Sequence, residues 1–293
     1  MDLLNRTKEL CKLYNITPAR TKGQNFLIKE EVYDKIIEAA ELKKDDVVLE
    51  VGPGLGFLTA KLASRAKKVI AVELDDKLAK ILRTGLATQG IKNVEVVNKD
   101  VLKFSIFNFQ FSKAPLIKGV GGFKVVANLP YNITSVFLRK FLSSEYKPSL
   151  MVLMLQKEVA ERITSKPGEM SLLAVSIQFY AKPEIIQIVP KENFWPKPEV
   201  DSAIVKIEIK KGVGHPIGCP TPLNEKEFFR LVKIGFSARR KMLKNNLANG
   251  YHIPPEEAEK WLKKAGFDLK IRAQELSVGN WLKILEMKRG NVV

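Results

Sequence analysis

A regular alternation of apolar runs and amphipathic segments between residues 46 and 155 most constrains the fold of this chain. The apolar runs predict buried strands, and they lie at residues 47–51, 68–73, 94–97, 123–127 and 150–155. Segments with a helical period separate them and predict helices at 57–65, 76–88 and 135–142. Continuous apolar strands separated by helices are typical of a parallel sheet that is covered on both faces.

The flanking segments extend this pattern. Helices are predicted near residues 3–14, 29–40, 157–164 and 171–180, and two late strands, 184–189 and 203–209, suit a terminal antiparallel pair. Residues 105–122 show no clear period and are interpreted as a long connection. After a segment rich in Gly and Pro, three helices are predicted at 225–248, 255–265 and 274–288. We therefore expect one domain over 1–209, a linker over 210–224 and a helical domain over 225–293.

The charge of the chain indicates a polyanionic partner. The 49 Lys and Arg residues against 32 Asp and Glu give a net charge of +17. The excess is uneven, since residues 210–293 hold 17 basic and 8 acidic side chains. Such an excess favours nucleic acid or an anionic membrane surface as the partner.

The few cysteines and histidines bear on the cellular compartment and on metal binding. Cys11 and Cys219 cannot build a disulfide framework, which favours a reducing compartment. His215 and His252 have no cysteine at ligand spacing, so we assign no metal. No apolar run approaches the ~20 residues that span a bilayer. We therefore expect a cytoplasmic protein without a membrane segment, and nothing in the sequence requires more than a monomer.

A glycine loop follows the first strand of the alternation. Gly52, Gly54 and Gly56 lie between strand 47–51 and helix 57–65, where glycine lets the backbone approach a nucleotide closely. Glu73 ends the next strand, where a carboxylate can accept both ribose hydroxyls, and Asp100 follows the third strand. This arrangement predicts a nucleoside site.

Two features of the loop distinguish between cofactors. A dinucleotide fingerprint needs Gly or Ala at the position of Phe57. Glu50 adds negative charge that would repel a pyrophosphate but suits a cationic ligand. The sulfonium nucleoside S-adenosylmethionine therefore fits better than NAD.

The stretch Asn128-Leu129-Pro130-Tyr131 ends the fourth strand, at the edge of an α/β sheet where ligands bind. Pro130 stiffens the turn. The Asn128 amide and the Leu129 or Pro130 carbonyl can accept hydrogen bonds from an exocyclic amine, while Tyr131 stacks on the base. Phe194 is the predicted second ring of this clamp. By themselves, these four residues favour a tight turn with a half-buried Tyr. Phe194 could equally be part of a hydrophobic plug.

The chain resembles the KsgA-type ribosomal RNA adenine dimethyltransferases over nearly its whole length. The motifs that carry the resemblance lie at residues 24–27 (Gln-Asn-Phe-Leu), 48–56, 128–134, 194–202 and 236–243. One departure is Asn98-Lys99-Asp100, which stands where a Gly-Asp pair is expected. The resemblance implies a class I S-adenosylmethionine-dependent methyltransferase fold, Rossmann-like, with a mostly parallel seven-stranded sheet and a small all-α C-terminal domain.

The resemblance also implies an activity and a set of site residues. Such enzymes methylate N6 of two adjacent adenosines near the 3′ end of small-subunit ribosomal RNA. Asn25, Leu27 and Gly52 would line the methionine end of the cofactor. The remaining cofactor residues would be Glu50 and Gly54 at the loop, Glu73 at the ribose, Asp100 at the adenine, and Asn128 between cofactor and target amine.

The helical end supplies the predicted RNA contacts. Six basic side chains are expected to crowd one helix, 225–248: Arg230, Lys233, Arg239, Arg240, Lys241 and Lys244. The partners would be small-subunit ribosomal RNA and a precursor of the small subunit. Alternatives are a macrolide-resistance methyltransferase acting on large-subunit RNA, a ribosome-assembly or transcription factor that only binds RNA, and, more distantly, an NAD oxidoreductase.

Overall fold

The structure is a computed structural model that describes residues 2–18, 24–104, 119–120, 122–210 and 224–290. Its helices are α1 (Leu3–Leu13), α2 (Glu30–Ala40), α3 (Phe57–Ala63), α4 (Asp76–Thr88), α5 (Thr134–Leu142), α6 (Lys157–Ile163), α7 (Leu172–Tyr180), α8 (Glu225–Gly235), α9 (Leu243–Tyr251), α10 (Pro255–Lys264) and α11 (Val278–Arg289). Its strands are β1 (Phe26–Leu27), β2 (Val47–Val51), β3 (Lys68–Glu73), β4 (Val94–Asn98), β5 (Gly119–Val120), β6 (Lys124–Asn128), β7 (Tyr146–Lys147), β8 (Leu150–Gln156), β9 (Ala181–Val189), β10 (Phe194–Trp195) and β11 (Ser202–Ile209).

Within the described residues, seven strands form the main sheet in the order β4-β3-β2-β6-β8-β11-β9. The pairs from β4 to β8 are parallel, and β11 runs antiparallel to β8. The chain moves outward from β2 through β3 to β4, and then returns to the other side of β2 with β6. Such a reversal opens a crevice at the carboxyl ends of the two central strands. Those ends are Gly52, after β2, and Asn128, at the end of β6.

The apolar runs explain why these strands lie at the centre. β2 is buried along its whole length, and β8 is buried at every position but its last. Helices α2 and α3 contribute to the same apolar core. The predicted mostly parallel sheet and its fold class are confirmed. Among the helices of the described residues, none is long and apolar enough to cross a membrane.

The described residues within 161–181 and 212–293 form a second compact unit, whereas those within 1–160 and 182–211 form the first. Helices α7 to α11 build the second unit around the buried side chains of Phe228, Leu247 and Trp281. Residues 161–181, assigned from the sequence to the first domain, belong to this helical unit, where the Gly168 and Met170 N–H groups donate to the Gln274 carbonyl. The domain limits otherwise remain a prediction. Most of the predicted linker, and residues 105–118 and 121 of the long connection, lie outside the described residues.

The single helix predicted over 225–248 is wrong, because the chain breaks into α8 and α9. α8 ends at Gly235, where a Cβ atom would lie 2.2 Å from the Trp281 ring. The buried Asn246 amide then donates to the Gly235 carbonyl (2.6 Å) and to the Ala238 carbonyl (3.0 Å). These bonds hold residues 236–242 as a turn between the two helices.

Candidate active site

A cleft of about 310 Å³ opens at the carboxyl ends of β2, β3 and β6. The residues predicted to bind the cofactor all line this cleft: Asn25, Leu27, Glu50, Gly52, Gly54, Glu73, Asp100 and Asn128. A neighbouring cavity of about 360 Å³ between α1, α3 and α4 contains none of them. The fold therefore brings together residues that are spread over more than a hundred positions of the sequence.

The glycine loop has a backbone that other residues adopt with strain. Gly52 has φ +67°, and a Cβ atom there would lie 3.6 Å from the Asn128 carbonyl oxygen. Gly56 has φ +85°, and a Cβ atom there would lie 2.5 Å from Leu82. Both positions need glycine for the left-handed conformation. The loop can therefore lie directly against the turn that follows β6.

Glu73 fixes the loop against the end of β3. Its carboxylate accepts the Gly54 N–H at 3.1 Å and the Asp75 N–H at 3.0 Å. Burial raises the pKa of Glu73, and these hydrogen bonds oppose that rise. The Asn98 side chain donates to the carbonyls of Glu73 (3.0 Å) and Leu74 (3.4 Å), so the departure noted in the sequence has a structural role.

Glu50 is the most unusual group of the cleft. Its side chain is 1 % exposed, and neither carboxyl oxygen forms a hydrogen bond within the described residues. Burial raises the pKa of Glu50 to about 8, the charge of Glu73 adds to the rise, and the nearby Thr59 hydroxyl opposes it. A buried carboxyl without a partner fits a cationic ligand, because a positive charge would stabilise its ionised form.

The turn after β6 presents polar backbone and side-chain groups to the cleft. Asn128 and Pro130 line it, and the Asn128 amide lies 3.5 Å from the Asn25 carbonyl oxygen. The Leu129 side chain is 2 % exposed, so this residue can offer only backbone groups. A short 3-10 helix, Tyr131–Ile133, then leads into α5. The turn therefore lies between the end of β6 and a helical segment.

The two predicted stacking rings lie in different surroundings. The Tyr131 hydroxyl forms a hydrogen bond of 2.8 Å with the buried Ser202 hydroxyl. Phe194 is 3 % exposed, belongs to the apolar core and pairs with Leu27 across β1 and β10. A ring packed in this way presents no free face to a base. The structure therefore places Tyr131 near the turn and Phe194 in the core, and the clamp of two rings stays a prediction.

Two contributing residues were not assigned a role from the sequence. Ser202 ends the 194–202 motif but is 71 positions from Tyr131, and the motif gives no signal of such pairing. Lys140 belongs to an ordinary amphipathic helix, yet its ammonium group donates to carbonyls of the 101–104 turn beside the cleft. Neither contact could be found without the tertiary structure.

The six basic residues predicted to contact RNA lie in the helical unit, but not on one helix. Arg230 stacks over the Tyr251 ring at 5.3 Å, and Lys244 forms an ion pair of 2.7 Å with Glu259. Arg230 is nevertheless exposed, as are Lys233 on α8 and Arg239, Arg240 and Lys241 in the turn before α9. The prediction that these six residues share one helix is therefore wrong, and three of the five exposed ones lie in the turn 239–241.

The mostly parallel sheet, its crevice at the reversal of strand order, and the acidic groups around the glycine loop define a class of protein. It is the class I S-adenosylmethionine-dependent methyltransferases. The residues of the cleft fit that cofactor, because the unpaired Glu50 carboxyl suits its cationic end and carboxylates lie at the ends of β3 and β4.

Comparisons with known proteins narrow the class to a family. Residues 18–289 match the family model of ribosomal RNA adenine dimethylases. Proteins named ribosomal RNA small subunit methyltransferase A are 43 % identical in Dehalococcoides mccartyi (strain CBDB1), over 99 % of this chain and 94 % of that protein, and 40 % identical in Bacillus cereus (strain ATCC 14579), over 94 % and 92 %.

Solved structures agree with this result. A dimethyladenosine transferase from Plasmodium falciparum is 28 % identical, with a TM-score of 0.74 over 89 % of this chain and 96 % of that one. The 23S rRNA methyltransferase ErmE is 30 % identical, with a TM-score of 0.68 over 90 % and 99 %. The chain belongs to the ribosomal RNA adenine dimethylase family. It is an S-adenosylmethionine-dependent methyltransferase that acts on ribosomal RNA, as the sequence predicted.

Proposed function

We propose that this enzyme transfers methyl groups from S-adenosylmethionine to N6 of two adjacent adenosines near the 3′ end of small-subunit ribosomal RNA. The observation that carries the proposal is the meeting of Glu50, Glu73, Asp100 and Asn128 in one cleft. Relatives that are 40–43 % identical over nearly the whole chain are named for the small subunit, which favours it over large-subunit RNA. The product would be N6,N6-dimethyladenosine.

The cleft residues suggest how the cofactor is held. Glu50 would balance the positive charge of the methionine end, with Asn25, Leu27 and Gly52 beside it. Glu73 already accepts two backbone N–H groups, and its carboxylate oxygens have further lone pairs for the ribose hydroxyls. Asp100 would accept the adenine amine. When bound, the cofactor supplies a methyl group that is already activated by the sulfonium.

Because the methyl donor is activated, the protein mainly has to position the target amine. The Asn128 side-chain oxygen and the Leu129 or Pro130 carbonyl would accept its two N–H groups and direct the nitrogen lone pair toward the methyl. Tyr131 would stack on the base, which contributes ~1–3 kcal/mol. Phe194 as the second ring stays a prediction, and it requires the ring to leave its core position. No general base is needed, since the methylated amine loses its proton readily.

The exposed cations of the helical unit support RNA docking. Arg239, Arg240 and Lys241 follow one another in the turn before α9, where each can reach a phosphate. Their contribution would be electrostatic and independent of sequence. We further propose that the enzyme acts as a monomer, in the cytoplasm, on a precursor of the small subunit.

Methyl transfer to ribosomal particles tests this function. Purified enzyme and labelled S-adenosylmethionine would be mixed with unmethylated small subunits or with large-subunit RNA, and digested nucleosides would be identified by mass spectrometry. We expect N6,N6-dimethyladenosine from the small subunit alone. Label confined to large-subunit RNA would indicate a macrolide-resistance methyltransferase instead. Tight subunit binding without label would instead indicate an assembly factor.

A further inference from the structure

Lys140 connects α5 to the turn that follows Asp100. Its ammonium nitrogen donates to the carbonyl oxygens of Val101 (3.3 Å), Leu102 (2.6 Å) and Phe104 (2.8 Å). The three donors of one lysine are therefore matched by three carbonyls of a single turn.

The same turn holds the Asp100 carboxylate. The Leu102 N–H donates to Asp100 Oδ1 at 2.8 Å, while the Leu102 carbonyl accepts from Lys140. Both Asp100 and Val101 line the cleft. The backbone of Leu102 therefore links the Lys140 ammonium group to the Asp100 carboxylate. A shift of the turn would move both cleft residues, Asp100 and Val101.

The environment of Lys140 makes this connection strong. Burial lowers the pKa of the Lys140 ammonium, and the negative charge of Asp100 opposes that change. A charged donor in partly buried surroundings forms stronger hydrogen bonds than a neutral one. Without the ammonium, the three carbonyls would lose their common donor and the turn would relax toward water.

We propose that Lys140 is a positioning residue that sets the adenine selectivity of the cofactor site by fixing the 101–104 turn on which the Asp100 carboxylate depends. This inference rests on the proposed function, in which Asp100 accepts the adenine amine. Lys140 itself is not among the residues that line the cleft, so its effect on selectivity would pass through Asp100.

Two ligands that differ at the adenine amine separate positioning from general support. S-inosylhomocysteine carries a carbonyl where S-adenosylhomocysteine carries the amine, so a carboxylate accepts from one and repels the other. We expect the wild-type enzyme to prefer the adenosyl ligand in calorimetry. Lys140→Met should reduce this preference about tenfold, the effect of one misplaced charged hydrogen bond. Its affinity for the inosyl ligand should change little.

Controls make the outcome specific. Arg139→Met removes the neighbouring cation on α5, whose exposed side chain forms no hydrogen bond or ion pair within the described residues, and it should keep the full preference. Lys140→Gln retains a hydrogen-bond donor without the charge, so it should lose only part of the preference for the adenosyl ligand. This variant replaces Lys140→Met in the test if the Met variant folds poorly. Circular dichroism and thermal unfolding would check folding.

Two results would overturn the inference in different ways. Equal weakening of both ligands by Lys140→Met would reduce Lys140 to general structural support. Asp100→Asn separates this failure from an error in the proposed function. If Asp100→Asn abolishes the preference while Lys140→Met keeps it, only the role of Lys140 is wrong. If Asp100→Asn keeps the preference, the proposed adenine contact is wrong, and the inference fails with it.

Discussion

Replacing the buried carboxyl of Glu50 by an amide should separate stability from cofactor binding. The pKa of Glu50 is raised from 4.5 to about 8 by burial. Between these pH values the folded protein holds a proton that the unfolded chain releases, so stability falls as pH rises through this window. At pH 7 the proton uptake costs about 3 kcal/mol of folding free energy. The Glu50→Gln side chain takes up no proton on folding, so this variant should be more stable than the wild type at pH 7 by up to this amount.

Cofactor binding should respond in the opposite sense. The cationic end of S-adenosylmethionine favours the ionised carboxylate, so binding should release a proton below pH 8, and affinity should rise with pH toward that value. In Glu50→Gln the affinity should fall, and its dependence on pH between 6 and 8 should flatten. The gain in stability and the loss of binding therefore have one cause.

Urea unfolding from pH 5 to 9 and calorimetry in buffers of different ionisation enthalpy would measure both effects. Glu38→Gln is a matched control, because it makes the same substitution at a carboxylate that is 70 % exposed, pairs with Lys35 and lies outside the cleft. Identical pH slopes for wild type and Glu50→Gln would refute the assigned pKa. Unchanged cofactor affinity in Glu50→Gln would refute the assigned role.

Two further predictions concern the RNA side. Ser202→Ala removes the partner of the Tyr131 hydroxyl, so it should raise the KM for RNA several-fold and leave the cofactor Kd unchanged. Steady-state kinetics would measure both effects. An equal effect of Ser202→Ala in a Tyr131→Phe background would contradict the pairing. Replacing Arg239 and Arg240 by Glu should weaken docking more at low salt than at high salt in filter binding, since phosphate contacts are screened. Equal losses at both salt concentrations would exclude an electrostatic contribution from this turn.

Local patterns were sufficient for most of the fold. Helix 76–88 is found with the predicted limits, because Asp75 caps it and its apolar residues keep a helical period. The break in the predicted helix 225–248 could not be foreseen. It depends on Trp281 packing at Gly235 and on the Asn246 amide, which are contacts between segments distant in sequence.

The same distinction between local sequence patterns and tertiary contacts applies to the site. Most of its predicted cofactor residues could be anticipated, since they lie at or just after the ends of parallel strands, which meet at one edge of the sheet. Asn25 and Leu27, at β1, were predicted only from the family resemblance. The burial of Phe194 was anticipated only as an alternative, the hydrophobic plug, because its strand is only two residues long and pairs with β1. Ser202 and Lys140 were missed, since single polar residues carry no pattern that reveals a distant partner.

The central claim is that Asn128 positions the target amine for methyl transfer, and single-turnover transfer by Asn128→Ala tests it most directly. The rate of methyl transfer to unmethylated small subunits would be measured for this variant. Calorimetry would give its affinity for the cofactor, and filter binding its affinity for the subunit. Asn249→Ala, at an exposed position, is the control. We expect transfer to fall about 100-fold or more, as when a preorganised polar group is removed, while subunit affinity changes little. Transfer near the wild-type rate would show that Asn128 does not position the target amine.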